Sequence, residues 1–378
     1  MQPTQPLRLG MVGGGPGAFI GAVHRIAAQM DGEFQLVAGA FSSDPVKGRE
    51  RALEWGVRAD RTYSSWQQMI ASESALPESQ RIQALSIVTP NHLHHEVAIA
   101  ALDARIHVAC DKPLTTSSEL AAKVADAVER SGKLFLLTHN YTGHPLVREM
   151  RERIAAGAIG EVRKVYVEYL QGWLADDLES TGQKQASWRT DPARSGPGGS
   201  LGDIGTHAFN LAEFVTGRRV TKLYGRKRAF VEGRPVDDDA MALLEFDGGA
   251  DGMLRCSQVC VGRENGLRIE VFGTDGGFEW KQEHPNDLTC FRKDGGAVIE
   301  RTGNGHLGAL AKSSSRIPPG HPEGYLEAFA NLYREFAASI RAKSALPEHT
   351  PSVDAGVRGV RFVEAVIESN ERGSWVGI

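Results

Sequence analysis

The sequence is poor in cysteine, in long apolar runs and in net charge. Its four cysteines show neither a regular spacing nor a C-x-x-C pair, which favours reduced structural thiols over a disulfide framework. No apolar run is long enough to cross a bilayer, and the first ten residues lack the pattern of a signal peptide, so we expect a cytoplasmic location away from membranes. The formal net charge is only −4 and the basic residues are scattered, which argues against nucleic acid as a partner.

The length of 378 residues exceeds the size at which a single hydrophobic core usually stops growing, so we expect two domains. The first third alternates short apolar runs with helical patterns, which is typical of βαβ units around a parallel sheet. The strands predicted there cover residues 7–12, 34–41, 84–88, 106–109 and 134–138. The sequence therefore predicts an α/β domain at 1–139 and a second domain at 140–378.

The second predicted domain has a different pattern. Apolar residues alternate at Val165, Val167 and Tyr169, and again within 267–271, which predicts antiparallel strands with one covered face. A polar stretch rich in glycine, proline and serine at 183–199 is typical of a loop, and apolar spacing at 325–341 predicts a helix. We expect an α+β domain built on a large, mainly antiparallel open sheet.

A glycine cluster follows the first predicted strand and opens a helix. It matches G-x-G-x-x-G/A, in which Gly13 permits a tight turn and Gly15 lets a pyrophosphate approach the backbone. Ala18, as the small third residue, allows close packing of the helix on the strand, and the N–H groups of the helix N-terminus favour the phosphate charge. We therefore predict a dinucleotide site, which also includes the intervening and helix-start residues Pro16, Gly17 and Phe19.

The end of the second predicted strand leaves the choice between NAD and NADP open. A carboxylate closing this strand would bond the ribose hydroxyls of NAD, but the strand runs into Ser42, Ser43 and Asp44. Asp44 could reach the ribose or cap the next helix, and Ser42 with Lys47 could receive a 2′-phosphate. The pattern gives a slight preference for NAD.

Three further segments narrow the class of protein: TPNHLHHE at 89–96, CDKPLTTS at 110–117 and GSLGDIGTHAFNLAEFVTG at 199–217. Together with the glycine motif they closely resemble the glucose–fructose oxidoreductase, inositol dehydrogenase and MocA family. The resemblance implies a doubly wound Rossmann domain followed by the α+β domain. It also implies NAD(P)-dependent hydride transfer at a ring hydroxyl carbon of a sugar, sugar derivative or inositol, and assembly as a homodimer or homotetramer.

The resemblance implies three catalytic residues. Lys112, in the motif Asp111-Lys112-Pro113, matches a family lysine beside the nicotinamide and the substrate, although Asp111 stands where glutamate is usual. Asp203 and His207 match the family's D-x-x-x-H pair, one helical turn apart. Because histidine titrates near neutral pH, His207 is our candidate for the base, with Asp203 orienting it and Lys112 holding the substrate oxygen. Lys112 as the base remains the alternative.

The remaining candidate contacts follow partly from the resemblance, and for Trp188, Arg189 and His321 from their side chains in polar loops. Those to the cofactor are Thr89, Pro90, Asn91, His94, Asp111, Lys112 and Asn140. Those to the substrate, besides the three catalytic residues, are Tyr141, Trp188, Arg189 and His321. No zinc-type spacing is present, so we predict no metal site.

Three other classes of protein compete with this interpretation. A metal-dependent sugar isomerase or hydrolase would draw Asp203, His207, His139 and His144 into one site. An NAD-dependent glycoside-cleaving enzyme would use the same motifs but oxidise the sugar ring only transiently. A nucleotide-sensing regulator would be expected to lack Lys112, Asp203 and His207, so their presence favours an enzyme.

Overall fold

The computed structural model describes residues 5–378, which form two compact units. The first unit comprises the chain up to Thr138 together with Phe329–Val357, and the second comprises His139–Ala328 and Arg358–Ile378. The chain therefore passes between the units three times, whereas the division predicted at 139/140 has one crossing. Residues 329–357 belong to the first unit because their aromatic side chains, including Tyr333 and Phe336, pack against Phe34.

The first unit is built on a parallel sheet of five strands in the order β2-β1-β3-β4-β5. The strands are β1 (Leu7–Gly13), β2 (Phe34–Ala40), β3 (Ala84–Val88), β4 (His107–Cys110) and β5 (Phe135–Leu137). Each strand predicted from the sequence is confirmed to within one residue at either end. The reason is that strands of a parallel sheet are buried on both faces and so read as continuous apolar runs.

Five helices connect these strands. They are α1 (Phe19–Met30), α2 (Pro45–Glu54), α3 (Trp66–Ala75), α4 (His94–Asp103) and α5 (Ser118–Ser131). The predicted cap of α2 is present, since Asp44 Oδ1 accepts hydrogen bonds from the N–H groups of Val46 and Lys47 at 2.9 and 3.3 Å. Pro45 occupies the first helical position, where its missing N–H costs nothing.

The strand order reverses between β1 and β3, because the chain first adds β2 on one side of β1 and then β3 on the other. Gly13 and Val88 are register partners at the carboxyl ends of these two strands. The glycine loop and residues 89–91 therefore leave the sheet at the same edge. In open parallel sheets, ligands bind in the crevice at such a reversal.

The second unit is built on a nine-stranded sheet in the order β13-β12-β11-β10-β6-β9-β8-β7-β14. Its strands are β6 (Val162–Leu170), β7 (Val220–Arg228), β8 (Asp239–Phe246), β9 (Asp251–Ser257), β10 (Gly266–Gly273), β11 (Gly276–Lys281), β12 (Asp287–Arg292), β13 (Ala297–Arg301) and β14 (Val376–Gly377). β6 and β9 are parallel, and the other adjacent strands are antiparallel. The predicted mainly antiparallel sheet is thus confirmed.

The remaining helices are α6 (Pro145–Ala155), α7 (Lys184–Arg189), α8 (Pro192–Ser195), α9 (Thr206–Thr216), α10 (Ala309–Ser313), α11 (Tyr325–Ala342) and α12 (Val353–Arg372). Of these, α6, α9 and α12 pack on one face of the nine-stranded sheet, whose other face is open. The core of the unit joins inward-facing strand residues such as Val165 and Leu254 to Phe209 of α9 and Phe362 of α12. Among residues 5–378, no helix combines the length and the apolarity that a membrane span requires.

Candidate active site

The glycine loop after β1 has a backbone that only glycine accommodates. Gly13, Gly14 and Gly17 have φ angles of +96°, +80° and +76°, in the left-handed region. Gly15 has no such constraint, but a Cβ there would lie 2.7 Å from the carbonyl oxygen of Phe41. The loop therefore presents bare backbone at the strand reversal, which is what a pyrophosphate needs.

The close contact between helix and loop falls at Gly21, which corrects the role we assigned to Ala18. A Cβ on Gly21 would lie 2.4 Å from the Cα of Gly14. Ala18 has extended backbone angles, φ −93° and ψ 119°, and stands just before the first residue of α1, Phe19, whose side chain is 66% exposed. The third small position of the motif is thus three residues further along, in the sequence AFIGAVH.

The turns after β3 and β4 are tied together by His94. Its Nδ1 lies 2.8 Å from the carbonyl oxygen of Pro113, and its Nε2 lies 2.9 Å from the carbonyl oxygen of Thr89. Burial lowers the pKa of this imidazole. As a neutral ring with one N–H, His94 lies between the two turns and donates to one of the two carbonyl oxygens, and a direct contact with a cofactor stays a prediction.

The end of β2 carries one carboxylate and one ammonium group close together. Asp44 uses Oδ1 to cap α2, while its Oδ2 lies 3.9 Å from Lys47 Nζ. Ser42 Oγ accepts a hydrogen bond from the Asp44 N–H at 3.1 Å, and Ser43 is exposed. The predicted cap by Asp44 is therefore present, while its contact with a ribose and the binding of a 2′-phosphate by Ser42 and Lys47 stay predictions.

Lys112 lies in the turn after β4 and directly follows Asp111. The Asp111 carboxylate has polar neighbours from other elements. Asp111 Oδ1 accepts a hydrogen bond from Thr138 Oγ1 at 3.2 Å and lies 3.8 Å from His24 Nε2. Burial alone would raise the pKa of the Asp111 carboxyl, but His24 and the Lys112 ammonium hold that pKa below its usual range. A charged carboxylate thus stands beside Lys112.

In the second unit, Asp203 and His207 lie on a widened helical turn. Asp203 is in a π-helical turn, Leu201–Gly205, and His207 is the second residue of α9. Such turns are rare and occur mostly at functional sites. The sequence pattern predicts the pair and its spacing, but not the change of helix type.

The start of this turn is held by Asp237, which the sequence analysis missed. Its carboxylate accepts hydrogen bonds from the Gly199 N–H at 2.9 Å, the Ser200 hydroxyl at 2.7 Å and the Leu201 N–H at 2.8 Å. Asp237 is buried, and a Cβ on Gly199 would lie 2.0 Å from its carbonyl oxygen. This aspartate therefore fixes the backbone that carries Asp203.

Asp203 accepts two side-chain hydrogen bonds at one oxygen. Arg189 Nε and Gln258 Nε2 lie 3.1 and 2.8 Å from Asp203 Oδ2. The Arg189 guanidinium also stacks on Trp188, at 4.2 Å, and lies 5.9 Å from the ring centre of Trp173. The structure thus brings the predicted Arg189 and also Gln258 to Asp203, and places the predicted Trp188 and also Trp173 against the Arg189 guanidinium.

His207 is 7% exposed and lies among aromatic rings. Its ring centre is 4.8 Å from that of Tyr141, 5.5 Å from that of His139 and 6.0 Å from that of Tyr169. The hydroxyls of Tyr141 and Tyr169 are 2.6 Å apart, and burial raises the pKa of Tyr141 to about 12. Both tyrosines therefore stay neutral near pH 7 and supply hydrogen bonds rather than charge.

Polar side chains that the sequence analysis missed extend from this aromatic group. Tyr169 and Gln171 donate to Asn265 Oδ1 at 2.5 and 3.0 Å, and Trp173 Nε1 donates to Gln171 Oε1 at 3.1 Å. They come from β6 and from the loops after β6 and β9. No local motif marks them, because their partners are remote in the sequence.

Two other predicted residues have contrasting surroundings. Asn140 is 1% exposed, and within residues 5–378 neither polar atom of its side-chain amide has a hydrogen-bond partner. An unsatisfied buried amide is costly, which fits a residue that awaits a ligand. His321 lies on an exposed loop with Nδ1 3.1 Å from the carbonyl oxygen of Pro318, and its contact with substrate stays a prediction.

Two family models match the chain. Residues 7–139 match the NAD-binding Rossmann fold of an oxidoreductase family, and residues 147–279 match the GFO/IDH/MocA C-terminal domain. The chain is also 35% identical to the uncharacterized oxidoreductase YfiI of Bacillus subtilis, over 99% of this chain and 97% of that protein. The chain therefore belongs to the GFO/IDH/MocA family of oxidoreductases, and the prediction of an NAD(P)-dependent enzyme is confirmed.

Two relatives with named ligands or substrates resemble the chain over nearly its whole length. An inositol dehydrogenase homolog from Azotobacter vinelandii, solved with NADH and myo-inositol, is 37% identical, with a TM-score of 0.91 and coverage of 99% of this chain and 98% of that one. Levoglucosan dehydrogenase of Pseudarthrobacter phenanthrenivorans is 28% identical over 99% of this chain and 98% of that protein.

The first unit fits the NAD that this family binds. The glycine loop presents bare backbone at the strand reversal, and Gly15 lies too close to the Phe41 carbonyl oxygen to carry a side chain. Thr89 Oγ1 is buried and, within the described part of the chain, has no hydrogen-bond partner, so a polar ligand group would satisfy it. Within the same residues no group of three histidine, cysteine or acidic side chains is arranged to hold a metal ion.

Proposed function

We propose that the chain oxidises a ring hydroxyl of a neutral polyol, a sugar or a cyclitol, and that Lys112, Asp203 and His207 act together on it. The observation that carries this proposal is the surroundings of the Asp203–His207 pair. Arg189 and Gln258 donate to the Asp203 carboxylate, two indole rings flank the Arg189 guanidinium, and the His207 imidazole, four residues further along, is buried. These groups bind hydroxyls and sugar faces, and a base with an orienting carboxylate is what removal of a hydroxyl proton requires.

Oxidation of an alcohol moves a hydride and a proton from the same carbinol group. NAD supplies the hydride acceptor when bound. In the proposed reaction His207 takes the hydroxyl proton, and the Asp203 carboxylate stabilises the imidazolium that forms. The Lys112 ammonium stabilises the negative charge that develops on the substrate oxygen.

The proposed substrate is uncharged. The relatives named above are an inositol dehydrogenase homolog solved with myo-inositol and a levoglucosan dehydrogenase, whose ligands carry hydroxyls and no charged group. In this chain the Arg189 guanidinium is already paired with Asp203. Trp173 and Trp188 offer flat apolar faces for ring C–H groups.

The proposal is tested by incubating the enzyme with NAD or NADP and a panel of inositols, monosaccharides and anhydrosugars. We expect reduced cofactor in proportion to the polyol consumed. Release of an aglycone from glycosides without net reduction would instead identify the glycoside-cleaving alternative. Cofactor binding without either reaction would identify a sensor and contradict the proposal.

The roles of the residues are tested by substitution. We expect His207→Ala to lower kcat by about 10²–10⁴ and to leave the Kd for NAD largely unchanged, because it removes proton transfer and no phosphate contact. His306→Gln, at an exposed histidine that pairs with Glu300, is the matched control. Residues that act as a unit give non-additive losses, so strictly additive effects of Lys112→Met and His207→Ala would contradict joint action.

We also propose that the open face of the large sheet binds a second copy of the chain. Register neighbours on four adjacent strands form one exposed apolar row: Tyr224, Leu243, Met253 and Tyr166. On the next two strands this row continues as Glu270 and Glu279, while the neighbouring row carries Arg226, Arg255, Arg268 and Lys281. These charges already pair within one copy, Arg268 with Glu270 and Glu279 and Lys281 with Glu279, so a two-fold contact would bury the apolar row beside satisfied ion pairs.

The measurement for this interface is the mass in solution. We expect a dimer or a tetramer, which Leu243→Glu converts to smaller species because it buries a charge in the apolar row. Val298→Glu, at an exposed apolar residue of β13, is the control and should leave the mass unchanged. A monomeric wild-type chain at micromolar concentration would refute the interface.

A cytoplasmic location is also proposed. All four cysteines are free thiols, and two of them are buried, as expected in a reducing compartment. Cell fractionation with an antibody against the chain tests it, and recovery in a secreted fraction would contradict it.

A further inference from the structure

A buried polar cluster lies in the first unit below the turn that carries Lys112. His24 of α1 and Ser86 of β3 are completely buried, and Tyr333 of α11 nearly so. His24 Nδ1 lies 2.8 Å from the Tyr333 hydroxyl and 3.2 Å from Ser86 Oγ, and these two oxygens are 3.0 Å apart. The other imidazole nitrogen, Nε2, lies 3.8 Å from Asp111 Oδ1.

The chemistry of the cluster sets the direction of its hydrogen bonds. The Asp111 carboxylate can only accept, so it favours an N–H on the facing His24 Nε2 and leaves Nδ1 as an acceptor. Burial raises the pKa of Tyr333, so the phenol keeps its proton and can donate it to Nδ1. Ser86 then donates to the Tyr333 oxygen. With Nδ1 as acceptor, the ring presents its Nε2–H to the Asp111 carboxylate.

The burial of this cluster needs an explanation beyond packing. Three polar side chains in an otherwise apolar core cost free energy unless they are fully hydrogen-bonded. Within residues 5–378, His24 Nε2 is buried and has no partner at hydrogen-bond distance. A contact that is slightly too long without ligand and shortens in the complex is common for groups that serve catalysis.

We propose that His24 is a positioning residue: Tyr333 and Ser86 hold its ring, its Nε2–H fixes the Asp111 carboxylate, and that carboxylate orients the Lys112 ammonium for the reaction. This inference rests on the proposed role of Lys112 in holding the substrate oxygen. His24 itself touches neither substrate nor cofactor in this scheme. The other titratable groups that face this cluster are Cys110 and His94.

Two amide substitutions separate the two sides of the imidazole. In His24→Gln the amide nitrogen reaches the position of Nε2 and can still donate to Asp111. In His24→Asn the amide reaches only the position of Nδ1, so the contact with Tyr333 is kept and that with Asp111 is lost. We expect kcat to stay within about threefold of wild type for the Gln variant and to fall at least about tenfold for the Asn variant.

A readout that does not need turnover follows Lys112 directly. The rate of acylation of Lys112, measured by peptide mass spectrometry as a function of pH, reports where this amine loses its proton. Because a poorly held carboxylate stabilises the ammonium less, we expect the midpoint to fall by about half a pH unit or more in His24→Asn and to stay in place in His24→Gln. Tyr333→Phe, which is nearly isosteric, serves where the His24 variants fold poorly, and should shift the midpoint in the same direction.

The outcomes separate this inference from the proposed function. A lower midpoint in the Asn variant alone supports the positioning role, even where no polyol is oxidised by the wild-type enzyme. Equal kcat values, equal pH profiles of kcat and equal Lys112 midpoints for the Asn, Gln and wild-type proteins overturn it. Equal losses in both variants that track thermal stability also overturn it, because they indicate a role in packing only.

Discussion

Replacing Gly21 by alanine tests how α1 packs against the phosphate-binding loop. The new Cβ would lie 2.4 Å from the Cα of Gly14, against about 3.4 Å or more for an ordinary contact, so helix and loop must separate by about 1 Å. Overpacking of this kind typically costs about 1–3 kcal/mol, and the gain in helix propensity from glycine to alanine offsets about 0.5–1 kcal/mol. We expect a net destabilisation of about 0.5–2 kcal/mol.

The effect on cofactor binding should be larger than the effect on stability suggests. The displaced residue, Gly14, belongs to the loop whose backbone would face the pyrophosphate. We expect the Kd for NAD to rise at least about tenfold, which corresponds to about 1.4 kcal/mol. Titration of tryptophan fluorescence with NAD gives the Kd, and chemical denaturation gives the free energy of unfolding.

The control for this prediction is Gly305→Ala. A Cβ on Gly305 would have no heavy atom within 4 Å, and its φ is not left-handed, so both measurements should match wild type. A second comparison is Ala18→Val, which enlarges the residue that the G-x-G-x-x-G/A motif alone identifies as the third small position. An unchanged Kd in Gly21→Ala, together with a weakened one in Ala18→Val, would refute the assignment of the third small position to Gly21.

Three further predictions concern other parts of the molecule. Asp44→Ser keeps a helix cap but removes the charge at the end of β2. We expect the ratio of the Kd for NAD to the Kd for NADP to rise at least about fivefold. An unchanged ratio would show that Asp44 only caps α2. Arg189→Lys loses the Nε contact with Asp203 and the flat stacking on Trp188, so we expect kcat/KM to fall about tenfold. A kcat/KM equal to that of the wild type would contradict the role of the Arg189–Asp203 pair. Burial lowers the pKa of His144 to about 3, and unfolding restores the ordinary pKa of about 6.5. Below pH 6.5 unfolding therefore takes up a proton, and the free energy of unfolding falls as the pH is lowered. We expect His144→Phe to reduce the difference in unfolding free energy between pH 7 and pH 5 by about 2 kcal/mol, measured by urea titration. An unchanged difference would show that His144 does not cause the loss of stability in acid.

The parts of the fold that are predictable from sequence are those with a local cause. The strands of the first unit were predictable because burial on both faces demands unbroken apolar runs, as in β3. The start of α2 was predictable because Asp44 caps it through its own neighbours. The Asp203–His207 pair was predictable because both residues lie within one segment, and the resemblance to a family supplied their meaning.

The parts that were not predictable depend on contacts between distant segments. Gly21 became recognisable as the third small residue only once the distance to Gly14 was known, since the loop before α1 is longer than the motif assumes. Asp237 follows the turn it supports by more than thirty residues, and nothing in its own sequence context marks it. Gln258 and Asn265 likewise reach the site from a loop between strands of the sheet.

The return of residues 329–357 to the first unit has the largest consequence among these. It supplies Tyr333, and thereby the proton donor that fixes the tautomer of His24 beneath Asp111. In the sequence alone, His24 is one more residue of an amphipathic helix, and Tyr333 is one more aromatic on the apolar side of another. The two side chains meet only after folding, which brings helices more than three hundred residues apart onto the same strand. The motif Asp111-Lys112-Pro113 therefore identifies Lys112, but it does not show which residues position its ammonium group.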